Sequence, residues 1–109
     1  MTKQFKIAVH VPVGSGDKVR EAIGRAGGGK IGNYSFCSFT VRGTGRFRPE
    51  DGANPHIGSV GKLEEVEEES IEVVVGVDVF KDVIAAIRSV HPYDEPAIEV
   101  YQLADITGC

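Results

Sequence analysis

The chain has 109 residues, 41% of them hydrophobic and 26% charged, and a formal net charge of −4 from 12 Lys+Arg against 16 Asp+Glu. That is the size of one domain, 1–109, with enough apolar content for a single core. The acidic balance speaks against nucleic acid as a partner, since neutralising phosphates needs a basic footprint. Two cysteines, Cys37 and Cys109, make no disulfide framework. The N-terminus has no signal-peptide pattern and no apolar run is long enough to span a membrane, so the reading is a cytoplasmic protein.

Phe5, Ile7, Val9 and Val11 alternate with Lys6, Ala8 and His10. This period of two predicts a first strand with one buried face and His10 on the other. Gly14-Ser15-Gly16 interrupts it, with Ser15 as a candidate N-cap and Asp17 in the first helical turn. Val19, Ala22, Ile23 and Ala26 then form a helical stripe, which Gly27-Gly28-Gly29 ends. Gly27 to Gly32 matches G-x-G-x-x-G literally, but it follows a helix and precedes a strand. A dinucleotide site needs the reverse order, so the match is rejected.

Phe36 to Val41 reads as a second strand, with Cys37, Phe39 and Val41 on one face. Cys37 there reads first as a small buried hydrophobe. Gly43 to Gly61 is a long Gly- and Pro-punctuated connection, a length that implies either a function or short structure of its own. Inside it, Gly43-Thr44-Gly45-Arg46-Phe47-Arg48 sets glycine-freed N–H groups beside two guanidiniums, which suits an anion. The plainer alternative is a glycine-rich turn with exposed arginines.

Lys62 to Val75 is predicted as a long third strand. Leu63, Ile71, Val73 and Val75 share one parity and Val66 has the other, so a bulge near Glu67–Glu69 is expected. The glutamates from Glu64 to Glu72 read as a solvated strand edge. Phe80, Val83, Ile84 and Ile87 form the strongest helical stripe, with Asp78 supplying a cap or first-turn carboxylate, and the helix runs to about Val90. His91-Pro92-Tyr93-Asp94-Glu95-Pro96 then leads into a last strand, Ala97 to Leu103, and a loose tail. Pro92 forbids the helical region at His91, and Pro96 holds Glu95 extended.

Strand, helix, strand, strand, helix, strand is the ferredoxin-like βαββαβ order. It implies an α+β fold with a four-stranded antiparallel sheet and both helices on one face. The other sheet face is left uncovered, and a symmetric partner is its simplest cover. His91 beside Asp94 and Glu95 is the best candidate for an acid–base or ligand cluster. Its plain alternative is a rigid helix-to-strand connector. No two His or Cys residues have close metal-ligand spacing, and no nucleophile–base–orienter set can be assembled. A hydrolase using His91 as base is therefore the least supported reading.

Several stretches together carry a family resemblance: Gly27 to Phe39, Gly43 to Pro49, Gly52-Ala53-Asn54-Pro55, Ile57 to Gly61, and His91 to Ala97. They resemble the inserted middle domain of the YqfO family, over nearly the whole chain. The His91–Ala97 ending is also similar to CutA proteins and, at the level of fold, to PII signalling proteins. The resemblance implies a PII/CutA-like fold that forms trimers through open sheet faces and binds effectors between subunits. It places the dinuclear metal centre of full-length YqfO proteins in a flanking domain, so this chain is not expected to carry it. Phe36 stands where relatives often present His before the Cys, which weakens a metal site at Cys37.

The resulting expectation is a non-catalytic homo-oligomer, trimeric on the resemblance, with no nucleic-acid or membrane partner. It would bind a small anionic effector or a protein partner near Arg46, Arg48, Asn54 and Tyr93. The alternative is a CutA-like metal-tolerance protein holding copper or zinc through His91, Glu95 and Cys37.

Overall fold

The N-terminal apolar alternation pairs on both sides and becomes the second inner strand of one sheet. A computed structural model describes residues 3–109. The elements are β1 (Gln4–Pro12), a 3-10 turn (Val13–Ser15), α1 (Gly16–Arg25), β2 (Phe39–Phe47), β3 (Glu64–Gly76), α2 (Phe80–Val90) and β4 (Ile98–Gln102). The sheet order is β2-β3-β1-β4, and every pairing is antiparallel. This is the expected α+β ferredoxin-like arrangement.

The core follows from period two meeting period 3.6. Ile7, Val9 and Val11 of β1 and Ile71, Val73 and Val75 of β3 point to one side. There they pack on Val19 and Ile23 of α1 and Val83 and Ile87 of α2. Both helices therefore cover the same face. The opposite face carries Lys6, Ala8, His10, Phe39, Val41 and Tyr101, and neither helix packs on it. Phe39, Val41 and Tyr101 remain 66%, 47% and 52% exposed.

Several local expectations are corrected. The second strand starts at Phe39, not Phe36, and runs on to Phe47 through what reads in sequence as a loop. Phe36 takes a positive φ of 59°, unusual for a bulky residue, which breaks the extended chain before the strand. Its ring lies against Gly24 of α1, where any side chain would overlap it. Cys37 thus lies outside the strand, half-buried, its N–H bonded to the Gly29 carbonyl at 2.9 Å. It is not the buried strand residue that its alternation suggested. The glycines of β2 are tolerated because pairing with β3 satisfies their backbone groups.

The third strand has no bulge. Its register runs unbroken from Phe39↔Glu72 to Phe47↔Glu64, and from Gln4↔Gly76 to Pro12↔Glu68. Val66 needs no bulge because β3 has passed the end of β1 there. From Glu67 back to Glu64 it pairs with β2 alone, as a two-stranded ribbon with no core beneath it. The ribbon extends the molecule to 51 × 23 × 23 Å. Asp78 is not a cap either: the N-cap of α2 is Val79, without a side-chain bond. Ser15 does occupy the N-cap of α1, also without one.

On the helix side of β3, Glu69 ties α1 to the sheet. Its carboxylate is 6% exposed as a residue and accepts a bond from Arg20 Nη1 at 2.9 Å, with Arg42 Nε at 3.7 Å. Gly16 is required beneath it, because a side chain there would overlap the carboxylate.

Ile71 is fully buried between the sheet and both helices, whereas Leu63 is largely exposed before β3. Ile71→Ala is expected to cost about 2–5 kcal/mol by urea denaturation. Leu63→Ala should stay within about 0.5 kcal/mol of wild type.

Candidate functional site

Pro92 ends α2 by forcing His91 out of the helical region, and His91 is the C-cap with φ −71° and ψ 132°. That conformation turns its ring inward, where the residue is only 8% exposed. Its Nε2 lies 2.7 Å from the His10 carbonyl, and its Nδ1 lies 3.1 Å from the Tyr93 N–H. A carbonyl can only accept and an amide can only donate. Nε2 therefore carries the proton, Nδ1 offers its lone pair, and the ring is neutral. Burial pushes the His91 pKa down, opposed by the His10 carbonyl and the nearby charge of Glu68.

Tyr93 is the centre of the site. Its ring centroid lies 5.1 Å from His91, 6.1 Å from Phe47 and 6.3 Å from His56. Its hydroxyl donates to Glu68 Oε2 at 2.7 Å. Burial and the Glu68 carboxylate both push the phenol well above its usual range, so it stays a donor. Glu68 in turn lies across Gly45 of β2, where a side chain would overlap its carboxyl group. The glycine is thus explained by a side chain crossing it, not by an anion-binding turn.

The loop from Arg48 to Leu63 folds back over this cluster. Gly61 N–H bonds the Pro49 carbonyl at 2.8 Å, and Asn54 N–H donates to Asp94 Oδ2 at 3.0 Å. The second bond joins the loop to the His91–Pro96 turn. Between ribbon, loop and turn lies a cleft of about 390 Å³, with Phe47, His56, Ile57 and Tyr93 in its walls and His10 and Glu68 also lining it.

Arg46, Arg48, Tyr93 and Glu95 all line this cleft. Arg46 Nε lies 3.5 Å from Glu65, and Arg48 Nε lies 2.7 Å from Glu50. Asn54 contributes its backbone N–H at the edge and not its side chain. His91, Glu95 and Cys37 are not brought together. His91 has both ring nitrogens engaged, and Cys37 sits beside Gly29 beyond the end of α1. Among the described residues no group of three or more His, Cys, Asp or Glu is placed to hold a metal.

Sequence reasoning missed Glu68, Phe47 and His56 as cleft residues. Glu68 was hidden in a run of glutamates, although its parity with Val66 sets it on the face opposite Ile71. His56 carried no such signal.

No family model matches the chain. It is 52% identical over 101 residues to the GTP cyclohydrolase 1 type 2 homolog of Halalkalibacterium halodurans, covering 93% of this chain and 27% of that protein. The Bacillus subtilis homolog of the same name is 49% identical over 96 residues, covering 88% and 26%. The chain therefore spans about a quarter of the length of the curated relatives it matches. Among solved structures, a Bacillus cereus protein related to NIF3 superposes with a TM-score of 0.83 at 42% identity, over 95% of this chain and 26% of that one. CutA1 from Pyrococcus horikoshii superposes at 0.68 with 21% identity, over 94% and 85%, which is a likeness of fold alone. The resemblance to a domain of the YqfO/NIF3 proteins thus holds over nearly the whole chain, and the fold is CutA-like.

The neutral His91 gives the fold a pH dependence of known sign. Its folded pKa lies below the ordinary 6.5, so the unfolded chain takes up the proton first as pH falls. Its influence is absent above that value, and stability declines from there down through the folded pKa. His91→Gln keeps a donor for the His10 carbonyl and cannot titrate. Thermal unfolding at about pH 7 and about pH 5 should show a smaller drop in Tm for His91→Gln than for wild type.

Proposed function

We propose that this YqfO/NIF3-like, CutA-folded domain is a non-catalytic, self-associating binding module. Its ligand lies in the cleft between the β2–β3 ribbon, the 48–63 loop and the His91–Pro96 turn. The observation that carries this reading is the cleft itself. Its aromatic walls are held in place by hydrogen bonds from three separate segments, as suits a preformed ligand site. Its lining holds no Ser, Thr, Cys or Lys to act as a nucleophile. Arg46 and Arg48 line it with their guanidiniums drawn to Glu65 and Glu50, beside the carboxylates of Glu68, Asp94 and Glu95.

Self-association is supported by the sheet face opposite the helices. Phe39 and Val41 on β2 and Tyr101 on β4 stand exposed there, at the two edges of one surface. Between them Lys6 is paired with Glu72 at 2.8 Å, so covering that part of the face need not strand those two charges. A trimer would cover it and close the cleft from outside. The cyclohydrolase in the relatives' name describes proteins of which this chain matches about a quarter, and it is not carried over. Copper or zinc binding would need ligands from more than one copy, since one copy does not assemble a set. Among the described residues no helix is long and apolar enough to cross a membrane. A cytoplasmic location belongs to this same reading.

Light scattering at micromolar concentration tests the assembly. The expected mass is three times the 11.7 kDa of one chain, falling to a single chain for Phe39→Asp. A wild-type monomer would remove self-association from the account.

A further inference from the structure

We infer that the cleft selects a small organic cation, a primary ammonium or guanidinium, over an anion, with Glu68 as its anchoring carboxylate. This rests on the cleft being a binding site. The contrast between two adjacent glutamates carries it. Glu69 is 6% exposed and faces two guanidiniums, those of Arg20 and Arg42. Glu68 is buried almost as deeply, at 9% exposed, on the opposite face of the strand. Among the described residues it has no ion-pair partner, and its single hydrogen bond is the Tyr93 hydroxyl on Oε2. Oε1 accepts none. Because no buried side-chain oxygen among the described residues lacks a partner, Oε1 stays open to solvent, and a carboxylate oxygen open there can accept charge-assisted hydrogen bonds from an ammonium or guanidinium.

The surroundings fit the same ligand. The rings of Tyr93, Phe47 and His56 gather beside Glu68. Aromatic faces attract cations and do nothing for anions. The two arginines that sequence alone assigns to an anion are drawn to Glu65 and Glu50. Asp94 and Glu95 add carboxylates to the lining. The cleft therefore sets the carboxylate of Glu68, with Asp94 and Glu95, among π faces.

Agmatine, which carries an ammonium and a guanidinium, is a suitable probe, with citrate as its anionic counterpart. Each is titrated into the 15N-labelled chain while backbone amide shifts are followed. Agmatine is expected to shift Phe47, His56, Glu68 and Tyr93 saturably. Glu68→Gln keeps an oxygen for the Tyr93 hydroxyl and should weaken agmatine about tenfold. Glu65→Gln, on the other side of the ribbon, should leave it within about twofold. Phe47→Leu keeps apolar bulk without a π face and should weaken it about threefold, which tests the site even where Glu68→Gln fails to fold. Citrate shifting these amides while agmatine does not would overturn the cation and leave the binding cleft standing. Silence from both probes would overturn both readings, as would agmatine affinity untouched by Glu68→Gln and Phe47→Leu.

Discussion

The hydrogen bond from Tyr93 to Glu68, 2.7 Å long, sits at the root of the ribbon, on the last residue of β3 that still pairs with β1, where the two parts of this molecule that share no core meet. One part is the helix-backed sheet, stabilised by Ile7, Val9, Ile71 and their helical neighbours. The other is the ribbon that β2 and β3 form beyond the end of β1. A two-stranded ribbon is marginal in water unless something packs on it. Here the packing is Tyr93 with Phe47, held from behind by His91 and from above by the bond between Asn54 and Asp94. Pro92 matters because it breaks the helix at the residue where His91 must turn in to support Tyr93.

Strict alternation in β3 decides the electrostatics of both faces. Glu68 and Glu69 are neighbours in sequence and lie on opposite sides of the sheet. Glu69 meets Arg20 and Arg42, and it fastens α1 at Gly16. Glu68 meets only a phenol and the bare backbone of Gly45. The same chemistry is tied down by guanidiniums on one face and, among the described residues, free of any ion pair on the other. That asymmetry is why the cleft reads as a binding site and the Glu69 network does not.

The architecture was legible because apolar periodicity controls it. Two helical stripes and the alternations of β1, β3 and β4 lead to the fold and to its uncovered face. What sequence could not show was where pairing outlasts the core. Gly43, Thr44, Gly45 and Arg46 look like a turn because they have no apolar alternation, yet their backbone pairs with Glu65 to Glu68. The break at Phe36 depends on its ring settling on Gly24, a contact between segments. The His91–Pro96 turn stands out in the sequence, which offers Tyr93 as a ligand contact and His91 as an acid–base or metal candidate; the structure shows how the two divide. His91 is a neutral buttress with both nitrogens used, and Tyr93 is the group that faces Glu68.

Amide hydrogen exchange on Tyr93→Phe, compared with wild type, tests this coupling most directly. Losing the hydroxyl leaves Glu68 without its one side-chain hydrogen bond among the described residues and loosens the ring of Tyr93 that packs on Phe47 of the ribbon. The account predicts faster exchange for amides of 43–47 and 64–68, with those of Ile7, Val9, Ile71 and Val73 unchanged. Uniformly faster exchange across the sheet, or none, would contradict it, since the ribbon would then not depend on Tyr93 for its place.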